Sequence, residues 1–314
     1  MGQVVLATPA STIWHHASIF ETQVLNRLPE DLRGIWDVWH IGLSDADALV
    51  HAPDPSVNSI LVAHDPEKII GLPHWRPLTF SPAYFAWRVR AQLSRRRLLS
   101  RFLDRFSAIV VTSHRAAATS RQFGFASYIG PLASGPEAAS SQESPPILGV
   151  MGHLHPSRRI QDIFLMARDL PEFQWEIVGR TGPVDYLGFL LREAPANVRV
   201  YGELTSEQLW NKVRNWSSLV VLPNRARSLG ASQAVVDCMT LGIPILYPDN
   251  AQVIAEYVGA GGRSYIRHRL ADAARALQVD RQGVSSEAAK RAHQEFSWDV
   301  ARARWTEYLR AIAR

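Results

Sequence analysis

The second half of this chain alternates short apolar runs with helix-like stretches, and the runs stop at glycine or proline. Runs at 147–151, 175–178, 198–201 and 219–222 are closed by Gly152, Gly179, Gly202 and Pro223, and a fifth run follows at 243–246. Between them, 161–170, 206–215 and 232–241 read as helices, with Ser206 as a cap and Gly242 as a stop. Runs this short and this evenly apolar mark strands buried on both faces. A repeated strand–helix unit of this length predicts an open parallel sheet with helices on both sides. No repeat of solenoid period competes with that reading.

The first half follows the same pattern less regularly. Runs at 4–8, 48–52, 59–63 and 108–112 read as strands, and Ser113 caps a helix that reaches Gln122 before Gly124. Ser11 and Thr12 open a helix toward Leu28. A long helical segment spans about 82–106, with seven arginines set among Phe85, Trp87 and Phe102. Residues 133–146 are rich in Ala, Ser, Gly, Pro and Glu, the composition of a linker. At 314 residues the chain has room for about two domains. The boundaries read as 1–132, a linker at 133–146, and 147–296, with loops at the carboxyl ends of the strands facing a cleft between the domains.

Composition narrows the function. Hydrophobic residues make up 46% and charged residues 20%, which suits a globular protein. The lone cysteine, Cys238, excludes a disulfide framework and a cysteine-based zinc site. No apolar run approaches the ~20 residues of a membrane span. The run from Val4 to Ala7 is too short for a secretory signal. A cytoplasmic protein is expected. The net charge is +5, and Lys68, Lys212 and Lys290 are the only lysines, so the excess is arginine. Arginine suits phosphate and carboxylate recognition. The charge admits a phosphorylated small molecule, an anionic membrane or nucleic acid, but no stacking module or zinc signature supports the last.

Several motifs recur in a fixed order. Gly152-His153-Leu154-His155-Pro156-Ser157-Arg158-Arg159-Ile160 follows a strand and opens a helix, and Ile177-Val178-Gly179 closes the next strand. Val200-Tyr201-Gly202-Glu203-Leu204 precedes a helix. Val220 to Asn224 leads into Ser228-Leu229-Gly230-Ala231-Ser232, then Asp237 and Gly242, and Phe296-Ser297-Trp298-Asp299 lies near the end. This order resembles the nucleotide-sugar glycosyltransferases of the GT-B fold, particularly glycosyltransferase family four. The resemblance covers about 147–310, and also touches 59–65 and 108–124.

The resemblance implies an α/β protein of two Rossmann-like, doubly wound domains facing a cleft. The N-terminal domain would bind a saccharide or lipid-linked acceptor, and the C-terminal domain a UDP or GDP sugar. The helix at 297–314 would pack back on the first domain. Transfer would proceed with retention, without a bound metal or a permanently bound cofactor. Because similar enzymes act on lipid-linked acceptors, the basic helix at 82–106 would touch an anionic membrane at its inner face. Its bland alternative is a surface helix packed on the sheet.

The site residues follow from the same motifs. Gly152 would end a strand with backbone N–H groups at a helix N-terminus, an anion site. Arg158 stands where the family usually has a lysine on the donor diphosphate, and can make a bidentate contact. His153 stands at the usual arginine position. Gly230 allows close backbone approach, and the N–H groups of Ala231 and Ser232 would hold the distal phosphate or the sugar. Asp237 matches the second of two glutamates that the family spaces eight apart, and would accept from ribose hydroxyls. The first glutamate has no clear counterpart, so 225–229 is altered. Gly179, Tyr201 and Glu203 would lie near the base. His64 and Asp65, at a strand end, would meet the sugar or acceptor, with Asp65 orienting the His64 ring.

Blander readings stand beside these. Arg158 would be a solvated turn, Glu203 near the cap of the next helix, Asp237 the partner of an arginine, and His64-Asp65 a strand-end turn. At the level of the whole chain, the alternative is a GT-B-like module that binds nucleotide or glycan without catalysis.

Overall fold

The computed structural model describes residues 4–6, 28–32, 37–40, 59–63, 106, 108–122, 128–129, 146–181, 184–223, 232–266 and 269–312. The chain divides into two compact units. The first is built from Met1–Leu132, Leu229–Ala231 and Trp298–Arg314, the second from Ala133–Ser228 and Ser232–Ser297.

In the first unit, β1 (Val4–Leu6), β2 (Asp37–His40), β3 (Ser59–Ala63), β4 (Ala108–Val111) and β5 (Tyr128–Ile129) form one parallel sheet in sequence order. Ser113 caps α1 (His114–Gln122), its Oγ accepting from the Ala116 N–H at 3.0 Å. β2 is a strand that periodicity does not reveal, and the run at 48–52 lies outside the described residues. So does the basic segment at 82–106, apart from Phe106. The last helix of the chain (Trp298–Ile312) lays Trp305 and Leu309, one turn apart, on Leu28, Leu32 and Val110. Arg310 adds an exposed ion pair to Asp31 at 3.1 Å.

The second unit carries β6 (Ile147–Met151), α2 (Asp162–Arg168), β7 (Gln174–Val178), α3 (Val184–Glu193), β8 (Val198–Gly202), α4 (Ser206–Val213), β9 (Ser218–Val220), α5 (Gln233–Thr240), β10 (Ile245–Pro248), α6 (Gln252–Val258), β11 (Gly262–Tyr265), α7 (Leu270–Val279) and α8 (Arg281–Phe296). The terminal helix is α9. All six strands are parallel, in the order β11-β10-β9-β6-β7-β8. The chain winds outward from β6 through β8, then returns to the other side of β6 for β9. The direction of winding therefore reverses between β6 and β9, where open parallel sheets bind ligands.

Local chemistry moves several boundaries from their sequence-based positions. Thr205, not Ser206, caps α4: Gln208 N–H donates to its Oγ1 at 3.2 Å, while Thr205 N–H donates to Gln208 Oε1 at 3.1 Å. β10 starts two residues later than the apolar run because Gly242 (φ 67°) and Ile243 close α5, donating to Met239 and Cys238 carbonyls at 2.9 Å each.

Alternation along the strands sorts the two faces. Leu148, Val150, Trp175 and Ile177 point into a core shared with α2, α3 and α7. On the opposite face lie Gly149 and Glu176. A Cβ at Gly149 would overlap the Trp216 ring. Glu176 is only 7% exposed, and its carboxylate accepts from Trp216 Nε1 at 2.8 Å and Tyr201 OH at 2.9 Å. Lys212 Nζ stands 3.9 Å from the same carboxylate and 3.6 Å from the Tyr201 ring centroid. Truncating Glu176 leaves two donors without their acceptor. Glu176→Ala should therefore cost about 2–4 kcal/mol, read from the urea midpoint, most of it the cost of unmade hydrogen bonds. An unchanged midpoint would show that water replaces the carboxylate at no cost.

Candidate functional site

An open pocket lies at the carboxyl ends of β6 and β9, at the reversal of the sheet. Its floor is apolar and includes Val150, Leu219 and Leu222, and its rim carries Gly152, His153, Arg158 and Ser232.

The rim after β6 is stitched to β7. Gly152 (φ 147°) donates its N–H to the Val178 carbonyl at 3.1 Å, and Leu154 N–H donates to the Arg180 carbonyl at 2.8 Å. A tight turn at Pro156–Arg158 follows, and α2 begins only at Asp162. Ile160 N–H donates to the Tyr186 hydroxyl at 3.1 Å, and that hydroxyl donates to Gln161 Oε1 at 2.6 Å. This corrects the expected row of helix-start donors at Gly152. Its own amide is spent on the neighbouring strand, because parallel pairing of β6 with β7 continues past the strand end.

Side chains supply the positive charge instead. His153 stacks on His155 with ring centroids 5.6 Å apart. Partial burial holds the His153 imidazole below its ordinary pKa, and the positive charges of His155, Arg158 and Arg180 push it the same way. Arg159, at φ 54°, turns away into an ion pair with Asp162 at 3.0 Å. Across the pocket, α5 starts at Ser232, whose backbone is extended and whose side chain makes no capping hydrogen bond. The Ser232 carbonyl accepts from Val235 and Val236, so the positive end of the α5 dipole opens beside the pocket rim.

The remaining residues singled out from sequence sit elsewhere. Gly179 (φ 155°) stands directly behind Gly152, where a Cβ would overlap the Gly152 carbonyl oxygen. Tyr201 sends its hydroxyl to Glu176 rather than into the pocket. Glu203 is exposed and lies two residues ahead of the Thr205 cap. Asp237 is buried within α5 at 8% exposure and accepts from Gln233 Nε2 at 2.8 Å. His64, Asp65, Gly230 and Ala231 fall outside the described residues. Arg180, expected from sequence to flank the cleft beside Gly179, is a cation acting on His153. Its signal is its place, directly after Gly179 as His153 follows Gly152. Among the described residues, no group of three or more His, Cys, Asp or Glu side chains is placed to hold a metal ion, and no helix is long and apolar enough to cross a membrane.

No protein-family model matches the chain, and no curated protein matches it in sequence. Solved structures do match in shape. Sucrose-phosphate synthase from Thermosynechococcus elongatus superposes with a TM-score of 0.66 at 14% identity, over 97% of this chain and 80% of that one. The chain has the GT-B fold. A trehalose-phosphate synthase (UDP-forming) from Burkholderia vietnamiensis matches with a TM-score of 0.59 at 14% identity, over 95% and 78% of the two chains. A mutant of S. aureus TarM, in complex with fondaparinux, α-GlcNAc-glycerol and UDP, matches with a TM-score of 0.62 at 12% identity, over 87% and 55%. This GT-B chain spans about half the length of TarM.

Proposed function

We propose that this protein is a glycosyltransferase whose second unit binds a nucleoside diphosphate sugar. The observation that carries the reading is the pocket at the sheet reversal, where Arg158 and His153 meet the start of α5. Two of the similar structures name UDP, one as a bound ligand and one as a product, which favours uridine over guanosine in the donor. Arg158 would grip the diphosphate with its fork, and the first turn of α5 with the Ser232 hydroxyl would take the remaining phosphate oxygens.

The chemistry asks little of proton-transfer groups. As the sugar–phosphate bond breaks, negative charge grows on the leaving diphosphate, and Arg158 with the α5 dipole stabilises it. In a retaining transfer, the leaving phosphate takes the proton of the attacking hydroxyl on the same face. No metal is assigned, and the acceptor is a saccharide or a lipid-linked sugar.

A thermal-shift screen of uridine, guanosine and thymidine diphosphates tests the reading. UDP at a hundredfold excess over its Kd should raise Tm by about 5–10 °C, since ligand that binds only the folded state stabilises it by mass action. Turnover of a UDP sugar should accompany it. A shift without hydrolysis or transfer would favour a binding module, and no shift with any of the three would end the nucleotide reading.

A further inference from the structure

We propose that His153 is a proton-coupled ligand of the diphosphate, neutral in the empty pocket and an imidazolium when the anion is bound. The proposal rests on the nucleotide reading above and extends it to how this site treats charge.

The geometry sets up the coupling. His153 is on the pocket rim directly after β6, in the same lining as Arg158 and Ser232. Among the described residues, the charged groups acting on its ring are His155 from its own loop, Arg158 from the following turn and Arg180 from the loop after β7. All three are cations or become cations on protonation. Apart from His153 and Arg158, the pocket lining is uncharged, Leu219, Leu222 and Ser232 among it. In that company a further positive charge is costly, and burial adds to the cost. A diphosphate placed among the same groups reverses the sign of the local field. The ring then gains both a counter-ion and an acceptor, so the proton that was unfavourable becomes favourable. Arg158 is charged at every working pH, whereas His153 adds its charge only when an anion arrives.

The sign of the pH dependence follows. With its folded-state pKa below the ordinary 6.5, His153 favours the empty folded protein above about pH 6.5, and that contribution is lost as pH falls. Bound anion raises the same group, so the ligand stabilises the protein more as pH falls through neutrality. Affinity should tighten roughly tenfold for each unit by which the bound pKa exceeds the free one.

Calorimetric titration of UDP in buffers of different ionisation enthalpy, at pH 6 to 8, tests this. The terminal phosphate of UDP itself titrates, so the informative quantity is the proton count of the wild type minus that of His153→Gln. The wild type should take up measurably more proton than His153→Gln near neutrality. His153→Gln should weaken UDP at pH 6 and change it little at pH 8. His153→Arg, folded with a permanent charge at the site, should bind with the shallow pH dependence of His153→Gln. Equal proton counts in wild type and His153→Gln would overturn the proposal. So would uptake lost in His155→Gln but kept in His153→Gln. If the wild type binds no UDP at any pH, the nucleotide reading fails first and carries this one with it.

Discussion

Gly179→Ala should cost the second unit about 3–5 kcal/mol, a large part of the 5–15 kcal/mol that usually separates folded from unfolded states. Gly179 has φ 155°, a conformation that L side chains rarely adopt. Holding alanine there costs about 1–3 kcal/mol. The added Cβ would also overlap the carbonyl oxygen of Gly152, and the obstacle is backbone, so no rotamer change relieves it. Both strands are pinned at this point. Gly152 N–H donates to Val178 at 3.1 Å and Gly179 N–H donates to Gly202 at 2.9 Å, so the strands cannot part without losing these bonds. Overpacking adds about 1–3 kcal/mol more. Gly188 is the internal comparison. It lies in α3 with nothing within 4 Å of a new Cβ, so Gly188→Ala should hold or gain stability by about 0.5–1 kcal/mol. Urea unfolding of the two variants checks both signs. A wild-type midpoint for Gly179→Ala would mean that β6 and β7 do not close on one another as described.

Arg158→Ala should weaken UDP binding by about 2–3 kcal/mol, or roughly thirty- to 150-fold, the worth of hydrogen bonds to a charged group. The nearby His153 cannot replace it, because a single imidazolium lacks the planar two-pronged fork of a guanidinium. Arg158→Lys should fall between the two, since lysine keeps the charge but loses the bidentate fork. Calorimetric Kd values for the three proteins give the order directly. Full affinity in Arg158→Ala would move the phosphate site away from this loop.

β6 and β7 are legible in the sequence because their central residues are buried on both faces and each strand stops at a glycine, whereas β11, with Ser264 exposed, carries no such run. The runs ending at Gly152, Gly179 and Gly202 map onto β6, β7 and β8 with shifts of at most one residue. β2 is not legible, because Asp37 and His40 flank Val38 and Trp39 and hide the strand behind polar ends. The C-terminal α7 and α8 escape for a different reason. Their apolar stripes, Leu270-Ala274-Leu277 and Val284-Ala288-Ala292, rely on alanine, which carries little periodic signal.

The site divides the same way. His153, Arg158 and Ser232 sit in local motifs, a loop after a strand and a helix cap, and the pocket brings them together. The fate of the Gly152 amide depends on pairing with Val178, a contact between distant residues that no local motif encodes. Tyr201 turns to Glu176 for a similar reason: the register between β7 and β8 decides which side chains meet.

On the proposed function, the pocket at the reversal of the second sheet holds a nucleoside diphosphate. A crystal structure of the protein soaked with UDP tests it most directly. Diphosphate density is expected between the Arg158 guanidinium and the first turn of α5, with His153 within hydrogen-bond distance of a phosphate oxygen. Fully occupied UDP anywhere else on the chain, with this pocket holding only solvent, would contradict it.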